Sequence, residues 1–335
     1  MTRTALDPIT PYLGDIDAML HFAGDAGKEY AQPALRNLGS VAIPILREVI
    51  SPASFRNQDQ EVTDIEAAGI RRVRAVANKF KHGERARGLQ ILRNFSAGGR
   101  SPQNRTGFRK NERPSAAFDL NTIVFGDSAN HGSNVLPVKA AAQYSDAISL
   151  TPYADCVDET FHNRAAEDGS LFDPETKKNS TNIFERHFVK PGTLLLQVIA
   201  FNGCTAPVEA LEHLLLSIGL AGAYGGQTSI YGINVRNHVV GLYGAKFERE
   251  IASPYVAAER IGTPAGAREA VPALRDLFAG SYATAITGAD IADLQHGMIA
   301  LLEADDAGMH ERYRATHDKV GDYFDTWFEG HGGRK

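Results

Sequence analysis

The stretch PGTLLLQVIAFNGCTAPVEALEHLLLSIGLAGAYGGQTSIYGINVRNHVVGLYGA, residues 191–245, decides how the chain is read. Thr193 to Phe201 is almost wholly apolar and rich in branched side chains, which predicts a strand covered on both faces. Thr205 fits an N-cap, and Pro207 is tolerated in a first turn, where its missing N–H has no partner to lose. Val208, Leu211, Leu214, Leu215 and Ile218 then recur at helical spacing as one apolar stripe. The helix is expected to stop near Gly222. Gly222, Gly225, Gly226 and Gly232 punctuate the run that follows, and Val235 to Tyr243 returns as a second strand. The unit is strand, helix, glycine-rich run, strand.

That order narrows the chemistry. Dinucleotide and P-loop sites put their glycines between a strand and the N-terminus of the next helix, where free N–H groups and the helix dipole meet phosphate. Here the glycines follow the C-terminus, the negative end, and AYGGQTSIYG has no Lys-Ser/Thr ending. A mononucleotide pocket is disfavoured. Two readings remain. Backbone N–H groups, with Gln227, Thr228 and Ser229 as donors, could lie along a polymer phosphate backbone. Otherwise the run is a helix cap and a tight return to the sheet.

At 335 residues the chain is one large elaborated domain or two ordinary ones, with a sizeable core. No apolar run is long enough to span a bilayer and no signal-peptide pattern opens the sequence, so no membrane partner is expected. Cys156 and Cys204 are the only cysteines, which argues against a disulfide framework and for a reducing cytoplasm. No motif calls for a cofactor.

Residues 1–40 read as an N-terminal cap, with a short helix around Ile16, Met19, Leu20 and Phe22. Val41 to Ile50 reads as a strand, and Pro44 places it at a sheet edge or starts it after that residue. Thr63 to Glu66 is a capping-box pattern, and Ile65, Val73, Val76 and Phe80 continue as the apolar side of a helix. Asp119 to Leu150 reads as a short strand ending in Phe125-Gly126, a polar turn, and a second strand from Val138 to Ile148 with Lys139 as its cation. From Tyr153 to Asn182 periodicity disappears, which predicts a long functional or disordered loop. Beyond Pro254, two stripes (Ile291, Leu294, Met298, Leu301, Leu302, then Met309, Tyr313, Val320, Phe324, Trp327, Phe328) predict a helical layer.

Charge is lopsided. Gly69 to Arg113 holds thirteen cations: Arg71, Arg72, Arg74, Lys79, Lys81, Arg85, Arg87, Arg93, Arg100, Arg105, Arg109, Lys110 and Arg113. Only Glu84 and Glu112 oppose them, so this segment carries +11 and the other 290 residues carry −16. A solvated helix face would intersperse both signs, so the imbalance favours polyanion binding. A disordered basic arm would give the same pattern, and Ser96 to Arg113 has its composition. Phe80, Phe95 and Phe108 are either base-stacking residues or core anchors, with no RRM-type aromatic consensus around them.

The runs LNTIVFGDSA, YSDAISL, DETFHNRAAEDGSLFDPETKKNS, RHFVKPGTLLLQV, LEHLLLSIGLAGAYGGQTS and VGLYGAKFER occur in this order between Ser40 and Tyr255. Together they resemble the backbone subunit of type I-D CRISPR effector (Cascade) complexes, the seventh Cas group of the RAMP superfamily. The resemblance implies an α+β fold with a modified RRM-like (ferredoxin-like) core over residues 41–253 and thumb and finger insertions, to which the apolar stripes add the helical C-terminal layer over 254–335. It implies a guide-RNA-binding subunit whose partners are the CRISPR guide RNA, the target DNA strand, copies of itself and the other subunits of the complex. Gly222, Gly225, Gly226, Gln227 and Thr228 match the glycine-rich loop beside the guide backbone. Residues 155–182 match the thumb, with His162, Arg164, Lys177 and Lys178 as contacts, and Arg56 with Gly69 to Arg113 matches the palm and finger. Some relatives carry a metal-binding insertion. Here only Cys156 and His162 lie near each other, so no metal site is expected. Two alternatives are a scaffold that also cuts the target strand, with loop aspartates Asp59 and Asp64 as candidates, and a free-standing RNA-binding protein.

Overall fold

In the computed structural model the apolar run forms the strand Leu194–Asn202, seven of whose nine residues are buried. The structure describes residues 5–19, 38–56, 62–99, 113–131, 134–163, 172–173, 177–179, 183–203, 206–225 and 232–328. The strands are β1 (Ser40–Val49), β2 (Asp64–Ala67), β3 (Ile70–Ala75), β4 (Asp127–His131), β5 (Asn134–Val138), β6 (Ala142–Tyr144), β7 (Ala147–Ser149) and β8 (Val157–Asn163). They continue with β9 (Phe172–Asp173), β10 (Lys178–Asn179), β11 (Ile183–Val189), β12 (Leu194–Asn202), β13 (Val235–Val239), β14 (Gly241–Ala245) and β15 (Thr284–Thr287). The helices are α1 (Ile16–Met19), α2 (Asn78–Asn94), α3 (Leu120–Phe125), α4 (Tyr153–Cys156), α5 (Val208–Leu220), α6 (Pro254–Ile261), α7 (Ala267–Ala279), α8 (Ala289–Glu303) and α9 (Ala307–Phe328).

The main sheet is antiparallel in the order β15-β14-β1-β12-β7-β3-β2, with β13 also on β1 and β6 also on β12. Through β1, α2, β7, β12, α5 and β14 the chain runs strand-helix-strand-strand-helix-strand. The sheet lays these strands out as fourth, first, third, second, a split βαβ arrangement. Side chains alternate across it. Leu194, Leu196 and Val198 join Ala42 and Leu46 beneath α6 and α7. On the other face Ile199 and Phe201, with Val41, Ile43 and Ile45, meet α2 and α5. Leu211, Leu214, Leu215 and Ile218 are fully buried there, each contributing about 1.5–3 kcal/mol. Leu6, Ile9 and Ile16 from the N-terminus, and Met298, Val320 and Phe324 from α8 and α9, complete the same cluster.

Several expectations are corrected. Pro44 sits in the middle of an interior strand, opposite Val198 of β12. On its other side the neighbouring chain breaks: β14 pairs with Ser40–Ala42 and β13 with Ile45–Val49. Val240, at the break, donates its N–H to the Pro44 carbonyl at 2.9 Å. The N and C=O of a strand residue point the same way, so the missing proline donor falls at the interruption. The expected second strand, Val235 to Tyr243, is accordingly two. Thr63 to Glu66 opens a hairpin and not a helix. Ala68 and Gly69, at φ +50 and +73, make its tight turn, and the Thr63 hydroxyl donates across to the Arg74 carbonyl. The helix starts only at Asn78, where Asp146 accepts the Ala77 N–H at 3.1 Å.

LNTIVF is helix α3 where a strand was expected. All six residues, polar Asn121 and Thr122 included, are buried, six residues are too few to show a helical period, and Asp119 and Thr122 form a reciprocal capping box. The expected strand from Val138 to Ile148 is the end of β5 followed by β6 and β7, with Lys139 exposed between strands. The expected loop from Tyr153 holds α4 and an antiparallel arm, β8 against β11, running from Val157↔Val189 to Asn163↔Ile183. Pro207 is the N-cap of α5, and Thr205 lies outside the described residues. The C-terminal stripes form α8 and α9 as read.

Candidate nucleic-acid interface

Three segments distant in sequence meet at one place. α2, the helix of the basic segment, reaches the segment after α5 through Gly83, where an added Cβ would lie 3.3 Å from the Tyr224 ring. The Phe80 ring stands 5.0 Å from that of Tyr224 and 5.3 Å from that of Phe55. The strap at Ala53–Arg56 closes the group. Gly225, at φ +110, leaves room for the Ser54 carbonyl oxygen 2.5 Å from where its Cβ would be, so only glycine fits. The Lys79 ammonium donates to the Arg56 carbonyl. Exposed Arg56 therefore lies two residues from the contact with Gly225 and is tied to Lys79, and His82, next to Gly83, is exposed.

A buried polar network fixes that point from below. Arg47 of β1 and Glu84 of α2, both with fully buried side chains, pair at 2.5 Å. Arg47 also donates to Gln197 Oε1 at 2.6 and 3.1 Å and to Asn237 Oδ1 at 2.9 Å. The Tyr224 hydroxyl donates to Glu84 Oε1 at 2.9 Å, and the Tyr144 hydroxyl to Glu84 Oε2 at 2.5 Å. Burial opposes the charge on Arg47, but Glu84 with Tyr224 and Tyr144 together outweigh it and hold the guanidinium above its ordinary value. Burial, then the negative charge of Glu84, pushes both tyrosines well above theirs. Buried Asn234 accepts the Tyr224 N–H at 2.9 Å and donates to the Tyr224 carbonyl at 2.7 Å, while its own N–H donates to the Gly222 carbonyl at 2.8 Å. The neck of the run is shut.

The expected cations differ in availability. Arg71 is exposed on β3, paired with Asp64 and 4.4 Å over the Tyr153 ring. Arg72 is 4% exposed and donates to the Ser149 and Leu150 carbonyls, both at 2.8 Å; burial lowers its pKa. It is part of the core. Arg74 pairs with Asp146 at 2.6 Å and Arg85 with Asp127 at 2.5 Å. Burial, then the charge of Arg85, lowers the pKa of Lys81. Arg87 is exposed and donates to Gln90 at 2.8 Å; Lys139 is exposed. Arg105, Arg109, Lys110, Gly226, Gln227 and Thr228 lie outside the described residues, as do Arg164, Asp59 and Phe108. Phe80 and Phe95 are fully buried, core residues and not stacking platforms.

On the arm, His162 lies in β8, Lys178 in β10, and Lys177 is exposed in the turn before it at φ +53. Asp64, one of the two cleavage candidates, is engaged by Arg71. Cys156 is buried at the base of the arm, its sulfur 2.8 Å from the Thr151 hydroxyl. Glu159, Glu185 and His187 bring their ligand atoms within 4.8 Å of one another on the outside of the arm, and the hydrogen bond and charge of Glu185 raise the Glu159 pKa. Two carboxylates and an imidazole are a donor set for a divalent cation, here with both carboxylates exposed and the imidazole half-buried. No helix among the described residues is long and apolar enough to cross a membrane.

A family model described as Csc2 Crispr matches residues 33–263, a span containing every residue of the convergence. The chain belongs to the Csc2 CRISPR family. The crystal structure of Thermofilum pendens Csc2 has a similar fold, with a TM-score of 0.65 over 99% of each chain at 15% identity. Chains of two CRISPR RNA-guided surveillance complexes, one of them pre-nicking, are 13% identical. They reach TM-scores of 0.42 and 0.45, over 63% and 73% of this chain and 77% and 86% of theirs. No curated protein matches. Reading this Csc2-family sequence alone missed Arg47, Gly83, Tyr224 and Asn234, and took Glu84 only as a counter-charge. Two signals pointed to the network: a lone arginine in the apolar run VAIPILREV, and a lone glutamate inside a strongly basic helix.

Proposed function

We propose that this Csc2-family chain is the guide-RNA-binding backbone subunit of a type I-D CRISPR interference complex. Copies line up along the guide RNA, hold its sugar-phosphate backbone without reading its bases, and present it for pairing with a target DNA strand. In this reading the fourth-first-third-second strand order is a modified RRM-like core and the β8–β11 arm is its thumb. The role is one of binding, not catalysis.

The observation that carries the proposal is that one short strap, Ser54 to Arg56, meets both Gly225 and Lys79 of the basic helix, supported by family membership. A subunit that accepts any guide sequence needs cations and backbone N–H groups and not base-edge contacts. Arg56, Arg71, Arg74, Lys79, Lys81, Arg85, Arg87 and Lys139 are the proposed phosphate contacts, with Arg105, Arg109, Lys110, Gly226, Gln227 and Thr228 proposed beside them. Arg72 is left out because its guanidinium is spent inside the core. The test is binding to single-stranded RNAs of unrelated sequence over a range of salt. Similar affinities are expected, with a slope of about −0.7 per phosphate neutralised and assemblies that lengthen with the RNA. Affinity confined to one sequence, or a fixed oligomer on RNAs of every length, would contradict it.

A further inference from the structure

We infer that Tyr224, held by the buried Arg47–Glu84 pair, is the positioning residue that fixes the start of the glycine-rich run against the basic helix. The inference rests on the RNA-binding reading above and adds how that site is held in shape.

Two fully buried charges have no access to RNA, and removing a carboxylate and a guanidinium from water is costly even when they pair. What the pair supplies is geometry. Its partners come from β6, β12, β13 and the segment after α5, so these four and β1, which carries Arg47, are set relative to α2. Tyr224 passes this on to the glycines most directly, beside Asn237, whose Nδ2 also donates to the Ala221 carbonyl at 3.1 Å. Its hydroxyl donates to Glu84 and accepts from Asn237 Nδ2 at 2.9 Å, its ring rests on Phe80 and Gly83, and both its backbone groups are taken by Asn234. The next residue is Gly225, against the Ser54 carbonyl. The backbone at Gly225 is thus held at a set place against Ser54, two residues from Arg56, whose carbonyl takes the Lys79 ammonium.

Neutral amides displace no counterions, so their placement alters affinity without altering the salt slope, whereas a cation alters both. Tyr224→Phe is the suitable variant, because Glu84 keeps Arg47 and Tyr144 and no buried charge is orphaned. In the full chain it is expected to weaken binding of single-stranded RNA of arbitrary sequence by about tenfold, the scale of one hydrogen bond to a charged group, at unchanged slope. Hydrogen exchange in the RNA-free protein should rise in peptides spanning 222–234 and not elsewhere. Lys79→Ala, in parallel, should make the slope shallower by about 0.7. Native affinity in Tyr224→Phe beside a weakened Lys79→Ala overturns the inference and leaves the RNA reading standing. So does a shallower slope in Tyr224→Phe, or a rise in exchange across the whole chain, which makes the network general stabilisation. If neither variant changes binding, the RNA reading falls and takes the inference with it.

Discussion

Acid should unlatch the helical layer at His213. This residue of α5 is fully buried, with Nε2 3.1 Å from Asn121 Oδ1 and Nδ1 3.3 Å from the Tyr313 hydroxyl. Asn121 Nδ2 donates to the Arg85 carbonyl at 3.3 Å, so the amide oxygen faces the ring and Nε2 carries the single proton. Gly88 of α2 permits this approach, since a Cβ there would lie 2.2 Å from Asn121 Oδ1 and 2.8 Å from Nε2. Burial lowers the pKa from the ordinary 6.5 to about 3. The folded chain therefore keeps His213 neutral while the unfolded chain takes up a proton below pH 6.5. The contribution is complete above that pH and lost as pH falls toward the folded value. Each unit is about 1.4 kcal/mol, so from pH 6.5 to about pH 5 the loss is about 2 kcal/mol. Urea unfolding followed by circular dichroism across this range, for the native chain and His213→Gln, isolates the residue because other titrations cancel. The variant should lose about 2 kcal/mol less than the native chain over the interval. Equal losses would refute the assignment of a neutral, inaccessible imidazole.

Arg71→Ala and Arg72→Ala, adjacent in sequence, should part company. Arg72→Ala leaves the buried Ser149 and Leu150 carbonyls unpaired and should cost about 2–5 kcal/mol in chemical denaturation, whereas the exposed Arg71→Ala should leave stability near native and register in RNA affinity. Equal stabilities would show that the guanidinium of Arg72 is not needed where it sits. Gly225→Ala forces a side chain into left-handed backbone and against the Ser54 carbonyl, so a loss of at least about 1–2 kcal/mol and weaker RNA binding are expected. Unchanged melting and unchanged affinity together would show that this glycine is incidental.

The parts of the fold legible in the sequence are those where one signal acts alone. Leu194–Asn202 and α5 carry unbroken apolar patterns, and both stand where the pattern puts them. The misreadings arise where two local rules compete or where tertiary context supplies the missing term. Thr63-x-x-Glu66 satisfies a capping box on paper, yet the hydroxyl finds the Arg74 carbonyl because Ala68-Gly69 can turn the chain back. Pro44 argues for an edge because nothing in its neighbourhood announces a break two hundred residues later. At the interface, the excess of cations was visible but their employment was not. Arg72 and Arg71 look alike in a count, and only the packing of Ser149 and Leu150 turns one inward. Arg47 and Glu84 each signal a buried charge, but neither sequence position names its counterpart.

The proline in β1 has a mechanical consequence. Above it, residues 40–42 are stitched to β14, which leads through β15 to the C-terminal helices; below it, residues 45–49 are stitched to β13, which carries the exit of the glycine-rich run. Pro44 offers no N–H of its own there, and its carbonyl is met by the Val240 N–H, so on this side the two halves of one strand answer to different neighbours while β12 runs unbroken along both. The step at Val240 thus divides the return from the glycine-rich run from the path to the C-terminal helices.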